Sequence, residues 1–250
     1  MHNLVMSILV KTIFPMAVIL DILCRHGRTG MATEGMARRK RQVLLDLPVA
    51  VALGVAFAIW PAAGRAEPGQ DPQPQIVIRT LAQGAIAAMA DSQLSDAERE
   101  DHFRRLFVSS FDIPEIGRFV LARYWRTATP DQQQDFLKLF EDINVLTWAQ
   151  RFKDYHGETV ETLGTTKDGD RGWIVDSRIM RVQAPPIPVQ WRIRQAEDGS
   201  FRIVDIIVEG VSMAITYRSD YTAAIQSNGG RVDSLLAVMR GKLDQLKTAS

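Results

Sequence analysis

Residues that could do chemistry are few and scattered in this 250-residue chain. Beyond residue 66 it holds two histidines, His102 and His156. Neither has Cys, His or carboxylate companions at the metal-ligand spacing that the three or four ligands of a zinc site need. His102 sits among Glu98, Arg99, Glu100, Asp101, Arg104 and Arg105, which reads as a solvated helix face. A serine nucleophile on a strand-to-helix elbow would want Gly-x-Ser-x-Gly, and Gly210-Val211-Ser212-Met213 lacks the second glycine. No Gly-rich phosphate cradle of either common spacing is present. The carboxylate pairs Asp168/Asp170 and Glu197/Asp198 fall in predicted turns, where charges are normally solvated. The one acid–base arrangement to weigh is His156 with Asp154 or Asp176. The expectation is a chain with no catalytic centre, no metal and no cofactor.

What the sequence has in abundance is large apolar side chains: Phe119, Tyr124, Trp125, Phe136, Phe140, Trp148, Phe152, Tyr155, Trp173 and Trp191. Such residues either fill a core or line a pocket. Periodicity does not distinguish the two.

The elements that must position them are legible from capping chemistry and from the period of the apolar residues. Residues 76–90 place Ile76, Val77, Leu81, Ile86 and Met89 among alanines, a helical composition. Three further helix starts pair an oxygen acceptor with Glu or Gln three residues on: Ser95 with Glu98, Asp112 with Glu115, Thr129 with Gln132. Pro130 occupies the first helical position of the last, where its missing N–H costs nothing. That helix is predicted from Asp131 to about Tyr155, with Phe136, Phe140, Trp148 and Phe152 on one broad face.

After Gly157 the period changes to two. Trp173, Val175, Val189, Trp191, Ile193, Phe201, Ile203 and Ile207 alternate with polar residues, and three Gly- or Pro-rich turns punctuate them. About four antiparallel strands result. A closing helical part is predicted over Tyr217–Gln226 and Val232–Leu246, broken at Gly229-Gly230. The fold class is α+β, with helices covering the concave side of a curled antiparallel sheet.

The start of the chain speaks to destination. Arg38, Arg39, Lys40 and Arg41 precede an apolar run from Leu44 to Trp60 and then Pro61-Ala62-Ala63-Gly64-Arg65-Ala66. Basic, apolar, then small is the order of a secretory signal, with cleavage expected after Ala66. Met36 stands immediately before the basic cluster and reads as the true start. The competing reading makes Leu4–Leu23 a membrane anchor, since its length matches the ~20 apolar residues of a spanning helix. Residues 1–66 hold 8 of the 30 Lys and Arg and 3 of the 29 Asp and Glu, so the remainder has a net charge of −4. It lacks the basic excess of a nucleic-acid binder. The sole cysteine, Cys24, also lies in the segment removed. Residues 67–75, with Pro68, Pro72 and Pro74, read as a flexible leader to a single domain over 76–247.

One stretch carries a resemblance. Residues 111–126 read Phe-Asp-Ile-Pro-Glu-Ile-Gly-Arg-Phe-Val-Leu-Ala-Arg-Tyr-Trp-Arg, followed by Ala128, Thr129, Pro130, Gln132, Gln133, Phe136 and Phe140. Together with Arg151-Phe152, Tyr155-His156-Gly157, Val208-Glu209-Gly210-Val211-Ser212 and Tyr217-Arg218, this resembles the MlaC family, also called the toluene-tolerance (Ttg2-type) or phospholipid-binding-protein family. The similarity extends from about Ile76 to Leu243. It departs at Ala122, where many members carry glycine.

The resemblance implies an NTF2-like or cystatin-like α+β fold with an apolar pocket between helices and sheet. It further implies a periplasmic lipid shuttle of an ABC-type transport system. Its partners would be a phospholipid, or another diacyl or polycyclic lipid such as a hopanoid, an inner-membrane ABC complex and an outer-membrane lipoprotein complex. On that reading Phe119, Trp125, Phe140, Phe152, Trp173, Val175, Trp191, Ile193 and Ile207 are candidate lining residues, and Arg118 and Arg123 candidate headgroup contacts. Two other classes stay open: a small-substrate enzyme on the same scaffold, and an adaptor that binds proteins through its aromatic face.

Overall fold

The computed structural model describes residues 73–91, 93–151 and 155–248. The signal-like segment, the Met36 start, most of the leader, Phe152 and Asp154 lie outside the described residues. Helix α1 (Gln73–Ala90) begins at Gln73, three residues before the expected start at 76.

Each of the three capping signatures starts a helix. Before α2 (Asp96–Ser110), Ser95 N donates to Glu98 Oε2 at 2.8 Å while Glu98 N donates to Ser95 Oγ at 3.3 Å, a complete capping box. Asp112 Oδ1 accepts from Glu115 N at 2.9 Å and opens α3 (Ile113–Leu121). Thr129 and Gln132 exchange bonds of 3.2 and 3.0 Å at the start of the long helix α5 (Pro130–Arg151).

Between them the chain breaks at Ala122 and resumes as the short α4 (Arg123–Thr127). Ala122 has φ 49° and ψ −119°. This is backbone space that glycine enters at little cost and a Cβ does not. It explains physically why glycine is the residue expected there. This sequence carries the strain instead.

The sheet is a meander in the order β1 (Thr159–Lys167), β2 (Gly172–Met180), β3 (Ile187–Gln195), β4 (Phe201–Val208) and β5 (Val211–Ser212), each antiparallel to the next. The fifth strand is two residues long and follows a turn at Glu209-Gly210, both at positive φ. Helix α6 (Met213–Ser227) begins four residues before the expected Tyr217, because Ser212 Oγ caps it by accepting from Ile215 N at 3.1 Å. Gly229 and Gly230, at φ 85° and 76°, turn the chain into α7 (Val232–Thr248).

Directly opposed residues of an antiparallel pair share a face. Trp173 opposes Ile193, Val175 opposes Trp191, Ser177 opposes Val189 and Ile179 opposes Ile187, which together define the inner face. In β4 the register shifts: Ile203 and Asp205 oppose the consecutive residues Ile193 and Arg192, so Val204 is an extra, bulged residue. One extra residue inverts the alternation that follows. Ile206 therefore opposes Trp191 on the inner face, and Ile207 opposes Gln190 on the outer one.

The helices build a second layer. Phe136 and Phe140 of α5 meet Tyr221 and Tyr217 of α6 edge-on, each with centroids 5.6 Å apart, and Leu235, Leu236 and Met239 of α7 are buried in the same core. Arg104 of α2 ties down α5 through Glu141 at 2.8 Å and Asp142 at 2.6 Å.

Candidate functional site

A cavity of about 530 Å³ opens between α1, α2, the end of α5 and the inner face of the sheet. Its helical wall is Leu81, Ala82, Ala85, Ile86 and Met89 of α1, Phe103 and Phe107 of α2, and Trp148 of α5. Its sheet wall is Thr159 and Val160 of β1, Ile179 of β2, Trp191 of β3 and Ile206 of β4. The volume lies within the range of small-molecule pockets.

The local chemistry explains why the space stays open. The wall that α1 presents includes two alanines, which cannot reach across to the sheet. At Gly84, α1 is held close to α2: a Cβ there would come within 2.8 Å of Leu106 Cδ2, so the two helices make one wall rather than a wedge. On the sheet side, Trp191 Nε1 donates to Ser177 Oγ at 2.8 Å, and Ser177 Oγ donates to Val189 O at 2.9 Å. These two bonds satisfy the indole N–H and anchor the ring on the sheet side of the cavity.

Polar groups collect along one margin: Arg151, Tyr155, His156, Glu158 and Arg181. His156 N donates to Glu158 Oε2 at 2.8 Å, and Arg181 Nε donates to Pro185 O at 2.9 Å. A deep apolar space with a charged margin suits a ligand with a hydrocarbon body and a polar end. Among the described residues there is no group of three or more His, Cys, Asp or Glu that could hold a metal ion. Nor is any described helix long and apolar enough to cross a membrane.

A smaller void of about 40 Å³ lies on the far side of Phe107, Phe111 and Ile206, which also border the large cavity. Its own residues include Phe140, Asn144, Asp205, Ala214 and Tyr217. Burial holds the Tyr217 hydroxyl's pKa above its ordinary value, with the nearby Asp220 charge adding to the shift.

Of the residues nominated from sequence as lipid lining, Trp191 borders the large cavity. The other described ones lie elsewhere, which corrects the expected lining. Val175 and Ile193 are on the inner face but fully buried in packed core. Trp173 is at the opposite end of β2 from Ile179, packed edge-on against Phe201 at 5.0 Å, with the Lys167 ammonium 3.8 Å above its ring. Ile207 is turned away by the bulge in β4. Phe140 borders the small void. Trp125 packs beside Gly117 and the core helices. Phe119 is 41% exposed, with Arg218 stacked on its ring.

Arg118 and Arg123 are exposed on α3 and α4, away from the cavity's charged margin, and Arg123 is bonded to the hydroxyl of Tyr124 at 3.0 Å. The acid–base arrangement is not assembled with Asp176, which accepts from Gln190 Nε2 on the outer face while His156 borders the cavity.

The wall residues that sequence reasoning passed over are the α1 alanines with Ile86 and Met89, Ile179, Ile206, and the polar group Arg151, Glu158 and Arg181. A run of alanines on the inner side of an amphipathic helix was the available signal. Nothing in the sequence marked the bulge that brings in Ile206.

Comparison with known proteins follows the same outline. The family model described as MlaC protein matches residues 79–241. The "Toluene tolerance protein ttg2D" of Pseudomonas putida is 21% identical over 60% of this chain and 70% of its own length. The "Intermembrane phospholipid transport system binding protein MlaC" of Haemophilus influenzae is 22% identical over 66% of this chain and 81% of its own. A phospholipid-binding protein from Ralstonia solanacearum, solved in complex with a phospholipid, superposes with a TM-score of 0.63 at 21% identity. That match covers 70% of this chain and 99% of the other, and it shows a shared fold.

Proposed function

This chain belongs to the MlaC family, and from that membership we propose that it is a lipid carrier which takes up a phospholipid by its acyl chains in the cavity beneath the sheet. The observation that carries the proposal is the cavity itself, about 530 Å³ of apolar walls with a charged margin where a headgroup can meet water. The relative from Haemophilus, named for intermembrane phospholipid transport, and the one from Ralstonia, solved with a bound phospholipid, support that choice of cargo over a hopanoid.

The physical need for such a carrier is large. Two acyl chains of about 15 methylenes each, at ~0.8 kcal/mol per CH₂, oppose transfer through water by roughly 24 kcal/mol. The cavity replaces that water with side chains. A small remaining affinity difference between protein and membrane lets the lipid leave again, so the activity is exchange without bond making.

The domain over residues 76–247 is the carrier. The basic, apolar and small order of residues 38–66 supports export, with Met36 as the start and Ala66 as the last residue removed. In this reading the carrier works in the periplasm, between an inner-membrane ABC complex and an outer-membrane lipoprotein complex. Arg151, His156 and Arg181 are the headgroup contacts in place of Arg118 and Arg123.

The test is transfer of a fluorescent phosphatidylglycerol between donor and acceptor vesicles kept apart by dialysis membrane. Catalytic amounts of the protein should accelerate transfer in proportion to concentration. Transfer no faster than with an unrelated protein of equal size would reject the carrier reading.

A further inference from the structure

Behind the large cavity, the 40 Å³ void shares three side chains with it: Phe107, Phe111 and Ile206. These three are a partition with empty space on both sides. The rings of Phe107 and Phe111 pack together with centroids 4.6 Å apart, and the same side chains border both spaces. Its backbone is pinned, since Phe111 N donates to Phe107 O at 2.9 Å and Asp112 N to Ile203 O at 2.9 Å. Movement there is confined to side-chain rotation.

The void is large enough by volume for water, yet it offers water almost nothing to bond. Its three polar side chains, Asn144, Asp205 and Tyr217, are already engaged. Asn144 donates to Phe140 O at 2.7 Å and accepts from the Tyr217 hydroxyl at 3.2 Å. Asp205 accepts from Ser212 Oγ at 2.6 Å and from Ala214 N at 2.9 Å. What remains is an apolar space suited to hydrocarbon, bordered by none of the charged margin's residues.

We propose that this void is a terminal subsite for the end of an acyl chain, entered when Phe111 and Ile206 rotate aside, so that the partition and the residues behind it set the longest chain the protein holds well. The inference rests on the carrier reading and adds to it a residue-level basis for selecting among acyl lengths. Ala214 borders the void and not the large cavity, and a longer side chain there would fill the space from behind. Ile206 has the opposite role, because shortening it joins the two spaces.

The experiment is competitive uptake from vesicles containing equal amounts of dimyristoyl- and dioleoyl-phosphatidylglycerol, followed by extraction and mass analysis of the bound lipid. Wild type, Ala214→Leu and Ile206→Ala are compared, with circular dichroism to verify folding and Ile116→Phe as a second filling variant. Ala214→Leu and Ile116→Phe should shift the dioleoyl-to-dimyristoyl ratio toward the shorter lipid by about ten-fold, the worth of one to two buried methylenes. Ile206→Ala should shift it the other way. Lipid-loaded filling variants with the wild-type ratio would overturn the subsite and leave the carrier standing. A wild-type protein that takes up neither lipid would overturn the carrier reading and the subsite with it.

Discussion

The two halves of this domain use the same kinds of residue to opposite ends. Where α5, α6 and α7 meet, Phe136, Ile143, Tyr221, Leu235 and Met239 are sealed from solvent and interlock without a large cavity. Where α1 and α2 face the sheet, Ile86, Trp148, Ile179, Trp191 and Ile206 are as apolar, yet they stand around an empty space. The difference lies in reach and backing. The filled half sets the rings of α5 against those of α6 and the leucines and methionine of α7, whereas the hollow half sets alanines of a helix opposite the concave face of a sheet. A filled core can therefore hold the fold while the hollow one is left for a ligand.

This contrast is broken most forcefully at Phe136. Phe136→Ala removes a ring with no solvent exposure and should cost about 3–5 kcal/mol in urea denaturation. Ile179→Ala on the cavity wall should cost about 1 kcal/mol, since its side chain already borders open space. Equal losses at the two sites would mean that the hollow half is packed as tightly as the filled one.

Next in size is a charge placed in the hollow half. Trp191→Glu should lower lipid uptake at least about ten-fold, because a carboxylate has no partner among those walls. Trp173→Glu, at the Phe201 end of the sheet, should leave uptake near wild type, although both tryptophans lie on the same face. Uptake measured from labelled vesicles separates them.

Smaller effects sharpen the picture of the filled half. Ala122→Gly relieves a backbone conformation unfavourable to a Cβ and should stabilise by about 1 kcal/mol in the same denaturation assay. The filled half also contains a defect. Asp220 Oδ2 and the Tyr221 hydroxyl are buried without a hydrogen-bond partner, and burial raises the Asp220 carboxyl from its ordinary 3.8 to about 6.

Between those two values the folded chain binds more protons than the unfolded one. The stability from this group is thus full below about pH 4 and lost as pH rises through 6. Asp220→Asn should flatten that stretch of the stability profile and give a gain of up to about 1 kcal/mol above pH 6, a modest figure because water reaches part of the side chain. An unchanged profile would mean that Asp220 is solvated in the fold.

The two halves were not equally legible in the sequence. The capping pairs at Ser95, Asp112 and Thr129 marked helix starts that the structure places as expected, because a cap is local chemistry. The alternation around Trp173, Val175, Trp191 and Ile193 marked the inner face of β2 and β3 for the same reason. Ile207 was misplaced by a single bulged residue, Val204, whose extra position depends on pairing with β3 and leaves no local signature.

The early start of α6 was hidden because Ser212, part of a family-like motif, is also its cap. The lining was the least legible feature. Whether Val175 or Ile179 meets a void depends on what stands opposite, and the period-two pattern of the strand records only the face they share. Arg151, Glu158 and Arg181 come together at the margin only through the way the end of α5 and the β1–β2 pair pack.

The most direct test is native mass spectrometry of protein expressed from Met36 and exported, for wild type and Trp191→Glu, followed by organic extraction of whatever is bound. The account predicts wild type carrying a stoichiometric phospholipid and Trp191→Glu folded but empty. A wild type without lipid, or a Trp191→Glu variant still fully loaded, would contradict it.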